Sequence, residues 1–163
     1  MYHTHFTMTD KASIRNIIKE ENKRHNPDEK AILSQEIQAL LLKEEHVIAA
    51  STIVLYWSLK NEVDTHTLIP ELIKTKNVII LTQSADTAPV IPPEEDTVIL
   101  VPAMAFDSNG GRLGRGKGHY DRMLATLPHA YTIGICFPWQ LINEVPMDIH
   151  DVKVKKVITN HNS

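Results

Sequence analysis

The chain has 163 residues, about one domain's worth, and its 42% hydrophobic and 23% charged residues exclude a mainly disordered or fibrous protein. Its formal net charge of −3 argues against bulk electrostatic attraction to nucleic acid or to an anionic membrane. No apolar run approaches the roughly 18 residues of a membrane span, and the N-terminus lacks a signal-peptide pattern. The single cysteine, Cys136, cannot form an internal disulfide, and its apolar strand predicts that it is buried. These features predict a soluble, cytoplasmic, monomeric protein with one domain over residues 1–163 and a flexible tail over residues 1–10.

The first predicted helix covers residues 11–25, and Asp10 is available as its N-cap. Its apolar residues at helical spacing are Ile14, Ile17 and Ile18. A second helix begins at Asn26, which can cap it, with Pro27 at the first helical position. The predicted apolar stripe of this second helix consists of Leu33, Ile37, Leu40 and Leu41.

Beyond residue 50 the pattern changes to short β-branched runs separated by helical segments. The predicted strands are 51–56, 77–82, 97–102, 131–137 and a last one within 153–159, and the first two are predicted to be buried. A helix from about Thr65 carries Leu68, Ile69, Leu72 and Ile73, and Pro70 implies an irregular first turn or a later start. Another helix is predicted over 119–126, and residues 83–96 are predicted as a loop. Apolar strands that alternate with helices predict a three-layer α/β/α fold with a mostly parallel central sheet.

Residues 102–122, PAMAFDSNGGRLGRGKGHYDR, carry the most informative pattern. They contain five of the six glycines, interleaved with Arg112, Arg115, Lys117 and Arg122. Glycines allow backbone N–H groups to approach a ligand closely, and cations supply charge-assisted bonds to anionic oxygens. The start of the following helix would add its dipole. The pattern predicts a polyphosphate cradle, and a solvated loop with surface charges is the alternative.

Two common phosphate-binding motifs do not fit this segment. Residues 111–117 spell G-x-x-x-x-G-K, but Gly118 follows where a P-loop needs Ser or Thr. The segment also begins well after its strand, and its glycines fail the G-x-G-x-x-G spacing. A nucleotide bound here would therefore need carboxylates elsewhere for its metal, and Asp121 and Asp151 are candidates.

The segment RLGRGKGHYDR, preceded by VPAMAFD, resembles the signature of the 5-formyltetrahydrofolate cyclo-ligase family, also called methenyltetrahydrofolate synthetases. Lys11 and Arg15 are similar to the family's K-x-x-x-R. The resemblance extends to Tyr56 with Ser58, to residues 62–65, and to 133–140 and 150–159. It therefore runs from about Lys11 to Thr159, nearly the whole chain.

This resemblance implies ATP- and Mg²⁺-dependent conversion of 5-formyltetrahydrofolate to 5,10-methenyltetrahydrofolate, with release of ADP and phosphate, in one-carbon metabolism. It implies phosphorylation of the formyl oxygen, with Arg115 and Lys117 as the catalytic cations around the transferring phosphoryl group. The implied ATP contacts are Lys11, Arg15, Arg112, Leu113, Gly114, Arg115, Gly116, Lys117, Gly118, His119 and Tyr120. The implied folate contacts are Trp57, Glu62, Arg115, Gly116, Lys117, Gly118 and His119. The implied Mg²⁺ ligands are Asp121 and Asp151.

From the residues alone, Trp57 fits a core residue better than a stacking platform, and Glu62 fits a surface carboxylate equally well. Lys11 and Arg15 fit a solvated helix face. The chain departs from the family pattern at His119, where a tyrosine is usual, and in the short segment 83–96. Thr82 also stands where a proline is expected. These departures leave the hypothesis of a nucleotide- or folate-binding relative with little turnover. The basic loop itself leaves a third hypothesis, a protein that binds nucleic acid.

Overall fold

The computed structural model of the protein describes residues 10–82 and 94–160. The helices are α1 (Lys11–Lys23), α2 (Pro27–Leu42), α3 (Glu45–Ala49), α4 (Leu68–Ile73) and α5 (His119–Ala125). The strands are β1 (Thr52–Tyr56), β2 (Asn77–Leu81), β3 (Thr97–Val101), β4 (Ala105–Phe106), β5 (Arg112–Leu113), β6 (Tyr131–Ile135) and β7 (Lys156–Ile158). Short 3₁₀ turns cover Glu94–Asp96 and Pro138–Gln140. Residues 1–9 of the predicted tail and 83–93 of the predicted loop lie outside the described residues.

Five strands form one parallel sheet in the order β2-β1-β3-β6-β7, and β4 pairs with β5 as a separate antiparallel hairpin. The helices α2, α3 and α4 pack on one face of the sheet, where Ile37, Leu72 and Ile53 lie in one apolar cluster. Helix α5 and the hairpin cover the other face, where Leu124 and Phe106 lie in one apolar cluster. The prediction of a three-layer α/β fold is confirmed.

The helix signals at the start of the chain are confirmed by the caps that form. The Asp10 carboxylate accepts a hydrogen bond from the Ser13 N–H at 2.8 Å, and Asn26 accepts one from the Glu29 N–H at 2.8 Å. These caps satisfy backbone donors that a helix N-terminus leaves free, so α1 and α2 begin at residues 11 and 27. Asp10 is thus part of a helix cap, although it was placed in the tail.

Helix α4 begins at Leu68, which is the later start that Pro70 implied, and Pro70 lies in its first turn. Other details of the predicted elements are wrong. Strand β2 is predicted to be buried, but it lies at the sheet edge, and its residues are partly or fully exposed. Three residues assigned to apolar stripes are exposed because they lie at the margins of those stripes: Ile17, Leu40 and Ile73. Helix α3 and the hairpin were not predicted.

Candidate active site

A cleft of about 1040 Å³, called the main cleft below, lies at the carboxyl edge of the sheet. The residues that end β1, β2 and β3 line it, including Tyr56, Leu81 and Pro102. The order in which strands are added to the sheet changes sides at β1, because β2 lies on one side of it and β3 on the other. Ligands of open α/β sheets bind at such a crevice beside the carboxyl ends of the strands.

The segment that joins β5 to α5, residues 114–118, forms one wall of the main cleft and is called the glycine loop below. Gly116 has φ +105° and Gly118 has φ +68°, conformations that side chains other than glycine rarely adopt. The Arg122 guanidinium donates a hydrogen bond from Nη1 to the Lys117 carbonyl at 3.0 Å. The side chains of Arg115 and Lys117 are exposed on this backbone, so the loop presents two cations at the cleft.

Helix α1 contributes two cations from one face, since residues four apart in a helix are neighbours. Arg15 donates from Nε to the Gly114 carbonyl at 2.8 Å, which fixes α1 against the start of the glycine loop. The Lys11 ammonium is 2.5 Å from the Asp151 carboxylate and 3.1 Å from that of Asp148. Burial favours the neutral form of Lys11, but the two carboxylates outweigh it, and the pKa of Lys11 is raised.

The two predicted metal carboxylates, Asp121 and Asp151, both line the main cleft. The Asp121 Oδ1 accepts a hydrogen bond at 3.1 Å from the N–H of Val152, the residue that follows Asp151, so this bond connects the two acidic positions. Within residues 10–82 and 94–160, the sole group of three or more potential ligands lies elsewhere, at residues 44–46. Mg²⁺ is commonly held by one or two carboxylates together with substrate phosphate oxygens, and this donor set fits that arrangement.

Arg112 is buried beneath the main cleft, although it carries a charge. Its Nε donates to the Pro102 carbonyl at 3.0 Å, its guanidinium carbon lies 4.9 Å from the centre of the Tyr120 ring, and its Nη1 is 3.8 Å from Asp121. Burial lowers the pKa of Arg112, but a guanidinium remains protonated at neutral pH. Burial also raises the pKa of Tyr120, so its phenol is neutral at that pH. The floor of the cleft therefore holds a fixed positive charge beside a neutral hydroxyl.

Trp57 and Glu62 lie at the end of the cleft reached from β1. The Trp57 side chain is 48% exposed and stacks on His66, with ring centroids 3.8 Å apart, so the interpretation as a core residue is wrong. Glu62 accepts a hydrogen bond from the Leu59 N–H at 2.8 Å and lies 3.8 Å from the Arg115 Nη2. Burial raises the pKa of the Glu62 carboxyl, against the opposing effects of that hydrogen bond and of Arg115. Glu62 is therefore a largely buried carboxylate and not a surface one.

The structure brings all but one of the predicted site residues together in the main cleft. The exception is Leu113, whose side chain packs in an apolar cluster with Ile14 and whose carbonyl accepts from the Met104 N–H at 2.8 Å. His119 is exposed at the start of α5 and lines the cleft. The interpretation of Lys11 and Arg15 as a solvated face is also wrong, because both line the cleft.

Two acidic residues that shape the site were missed. Asp107 is buried and accepts hydrogen bonds from the N–H groups of Asn109, Gly111 and Val145, at 2.9, 2.8 and 2.8 Å. Asp148 pairs with Lys11 at 3.1 Å. The D-x-N-G-G pattern after β4 is a turn signal that could have identified Asp107, whereas no local pattern identifies Asp148.

The fold and the main cleft define the chain as an α/β protein with a cation-lined cleft suited to a polyanionic ligand. The sequence model of the 5-formyltetrahydrofolate cyclo-ligase family matches residues 81–160. The chain is similar to that family, as the sequence analysis predicted, and the curated relatives and solved structures that it matches are named 5-formyltetrahydrofolate cyclo-ligases or 5,10-methenyltetrahydrofolate synthetases.

Individual relatives agree with this assignment. The 5-formyltetrahydrofolate cyclo-ligase of Mus musculus is 41% identical over 37% of this chain and 32% of its own length. That of Mycolicibacterium smegmatis is 45% identical over 44% of this chain and 39% of its own length. The chain thus matches well under half the length of these two relatives. The solved structure of a 5,10-methenyltetrahydrofolate synthetase from Mycoplasma pneumoniae is 27% identical, with a TM-score of 0.80, over 94% of this chain and 100% of its own.

Among residues 10–82 and 94–160, no helix combines the length and the apolar character that a membrane crossing requires.

Proposed function

We propose that this protein converts 5-formyltetrahydrofolate to 5,10-methenyltetrahydrofolate, using ATP and releasing ADP and phosphate. The observation that carries the proposal is the convergence of the glycine loop, Lys11, Trp57, Glu62 and Asp121 on one cleft. These residues come from widely separated parts of the chain. Their assembly beside the carboxyl edge of the sheet supports a site for two substrates, one of them strongly anionic.

The triphosphate of ATP would lie against the glycine loop. The cations Lys11, Arg15, Arg115 and Lys117 all line this cleft. Positive φ at Gly116 and Gly118 lets the backbone pass close to phosphate oxygens without a side chain in between. Phosphoryl transfer depends mainly on positioning and on neutralising charge, which is the work such a group of cations can do.

The pterin of the folate would lie near Trp57 and Glu62. The exposed face of an indole suits stacking with a flat ring, and a carboxylate accepts hydrogen bonds from adjacent ring and amino N–H groups. Glu62 is already fixed by the Leu59 N–H, so one oxygen has a defined orientation. Arg115 lies between the two halves of the cleft, because it lines the loop wall and is 3.8 Å from Glu62.

The chemistry requires an amide oxygen to leave. Transfer of the γ-phosphoryl group to the formyl oxygen breaks the bond to ADP and gives an iminium phosphate at N5. The N10 lone pair then attacks the formyl carbon, N10 loses its proton, and phosphate departs with the former formyl oxygen as the five-membered ring closes. The role of Arg115 and Lys117 in this scheme is to stabilise the charge on the transferring group, and no protein nucleophile is needed.

Asp121 and Asp151 are the side chains that would hold Mg²⁺ with the nucleotide. The ion would supply charge neutralisation at the phosphate oxygens. In the structure the Oδ2 of Asp151 is bonded to Lys11, so a cation held at that oxygen would displace the ammonium. Lys11 would then be free to contact a phosphate oxygen.

The test is to mix the protein with ATP, Mg²⁺ and 5-formyltetrahydrofolate and to follow the near-ultraviolet absorption of the methenyl product. We expect that absorption to grow, to require ATP, and to be abolished in Asp121→Ala. The matched control is Asp28→Ala, which removes an exposed carboxylate on α2 outside the main cleft and should retain turnover. No product together with measurable ATP binding would instead support a binding relative without turnover.

We further expect the protein to act as a cytoplasmic monomer with small-molecule substrates and no nucleic-acid or membrane partner. Sedimentation with and without ATP tests the first expectation. RNA affinity that falls steeply with salt and is lost in Lys117→Ala would contradict the second and favour nucleic-acid binding through the glycine loop.

A further inference from the structure

Trp57 and His66 lie side by side because the chain between them is closed at its base. Ser58 and Thr65 are both buried, and they bond reciprocally: the Ser58 N–H donates to the Thr65 Oγ1 at 3.1 Å, and the Thr65 N–H donates to the Ser58 Oγ at 3.0 Å. The Thr65 hydroxyl also donates to the Tyr56 carbonyl at 2.7 Å, which joins this closure to the end of β1. The residues directly outside the closed pair, Trp57 and His66, are therefore held as neighbours.

The His66 ring is fixed in its orientation by hydrogen bonds of its own. Its Nε2 lies 3.0 Å from the Ser58 carbonyl oxygen, and since that oxygen can only accept, Nε2 carries the proton. The His66 backbone N–H donates to the Asp64 Oδ1 at 2.8 Å. The ring and the backbone of His66 thus have separate hydrogen-bond partners, although the residue is exposed.

The rings of Trp57 and His66 form a stack with one free side. Their centroids are 3.8 Å apart and their planes are inclined by 20°. Trp57 lines the main cleft, whereas His66 lines a second cleft, between the end of α1, the start of α2 and the segment 58–66, and does not line the main one. His66 therefore covers the face of the indole that is turned away from the main cleft. The opposite face is left for a ligand, in agreement with the 48% exposure of Trp57.

The stack restricts the one part of Trp57 that the sheet leaves free to move. The Trp57 backbone N–H donates to the Leu81 carbonyl at 3.0 Å, so the backbone is fixed and the remaining freedom is that of the side chain. An exposed side chain that a ligand has to order weakens binding, because the ordering lowers the conformational entropy. Contact with His66 orders the indole before a ligand arrives, and aromatic pairs gain from stacking beyond the area that they bury.

We propose that His66 is a positioning residue for the folate: it holds the Trp57 indole in the orientation in which its free face stacks on the pterin. This inference rests on the proposed function, which places the pterin at Trp57 and Glu62. His66 does not touch the substrate and acts through Trp57. Glu62 belongs to the same closed segment and accepts from the Leu59 N–H at 2.8 Å, so the stacking face and the hydrogen-bonding carboxylate are fixed by one piece of chain.

The experiment is a double-mutant cycle between the two rings, measured as the KM for 5-formyltetrahydrofolate in the turnover assay and as its dissociation constant in calorimetry without ATP. We expect His66→Ala to raise both values about fivefold, with smaller changes in kcat and in the KM for ATP. In a Trp57→Ala background the same change should have no further effect, because the ring on which His66 acts is gone. His66→Phe keeps a flat ring and should restore most of the affinity, whereas His66→Gln keeps only a hydrogen-bond donor and should not.

His46→Ala is the matched control, because His46 also stacks on an aromatic ring, that of Tyr131, with centroids 3.5 Å apart, but lines neither cleft. It should leave the affinity for folate unchanged. Fluorescence anisotropy of the protein without ligands measures the mobility of the indole directly. It should fall in His66→Ala, and Trp57→Ala gives the baseline from Trp139, the other tryptophan of the chain.

An unchanged folate affinity or an unchanged anisotropy in His66→Ala would overturn the proposal, and so would an equal loss of affinity in the Trp57→Ala background. Absence of turnover with folate binding retained would count against the proposed reaction only, and the dissociation constants would still decide the role of His66. Absence of folate binding in the wild type would overturn both.

Discussion

The buried carboxylate of Asp107 offers a sharp test of how the site is built. Its Oδ1 accepts from the N–H groups of Asn109 and Gly111, and its Oδ2 accepts from that of Val145. These bonds hold the turn of the β4–β5 hairpin against the segment that leads to Asp151. The perturbation is Asp107→Asn, which conserves shape but replaces one carboxylate oxygen with an NH₂ group.

The magnitude follows from the geometry. The oxygen of the asparagine amide can still accept from the N–H groups of Asn109 and Gly111. Its NH₂ group then faces the N–H of Val145, so two donors oppose each other. Loss of one charge-assisted bond and the burial of two opposed donors should lower the free energy of unfolding by about 3 kcal/mol. For a chain of this size that corresponds to a fall of roughly 6–12 °C in Tm.

The assay is thermal unfolding followed by circular dichroism, with Ser108→Ala as the control because Ser108 is exposed in the same turn. We expect the control to unfold within about 1 °C of the wild type, as surface substitutions usually do. If Asp107→Asn unfolded together with Ser108→Ala, the three hydrogen bonds would not be organising this region, and the reasoning would be refuted.

Three further changes test the main cleft. Because burial raises the pKa of Glu62, its carboxylate should become protonated at pH values above the ordinary pKa of 4.5, and folate binding should weaken as the pH falls through that range. Glu62→Gln should remove this pH dependence from the KM for folate. Gly116→Ala places a side chain at φ +105°, where the added carbon would be in ordinary contact with Arg15 at 3.7 Å. About 1–2 kcal/mol of backbone strain should then raise the KM for ATP roughly 5–30-fold. An unchanged KM would contradict a phosphate-binding role for this backbone. Arg112→Lys should lower kcat/KM at least about tenfold, because an ammonium cannot reproduce the planar contact with Tyr120, and near-normal kinetics would show that charge alone suffices there.

Local signals were sufficient where the structure depends on neighbouring residues. Asp10 caps α1 and Asn26 caps α2, and both caps follow from residue type and position alone. The apolar pattern of residues 77–82 correctly predicted a strand but wrongly predicted its burial. The strand lies at the edge of the sheet, and that position depends on the strand order. The hairpin was missed since each of its strands has two residues, too few to show an alternating pattern.

The candidate site divides in the same way. The glycine loop is contiguous in sequence, so its composition alone predicted an anion-binding segment. Lys11 and Asp151 are 140 positions apart, and only the family resemblance linked them, since no local pattern connects an N-terminal helix to a C-terminal turn. Trp57 was the hardest to interpret. An apolar ring that follows a buried strand is exposed only where the carboxyl ends of the strands open into a cleft.

Two ion pairs across the main cleft join groups assigned to different ligands. Lys11, assigned to the nucleotide, is bonded to Asp151, assigned to the metal, and Arg115 of the glycine loop faces Glu62, assigned to the folate. These contacts compensate partly buried charges when no ligand is present. Under the proposed function the Arg115–Glu62 pair opens for nucleotide and folate to bind, so the first of these ligands removes that cost for the second. Positive coupling between nucleotide and folate therefore follows from this pair, and by linkage each ligand must strengthen the other equally.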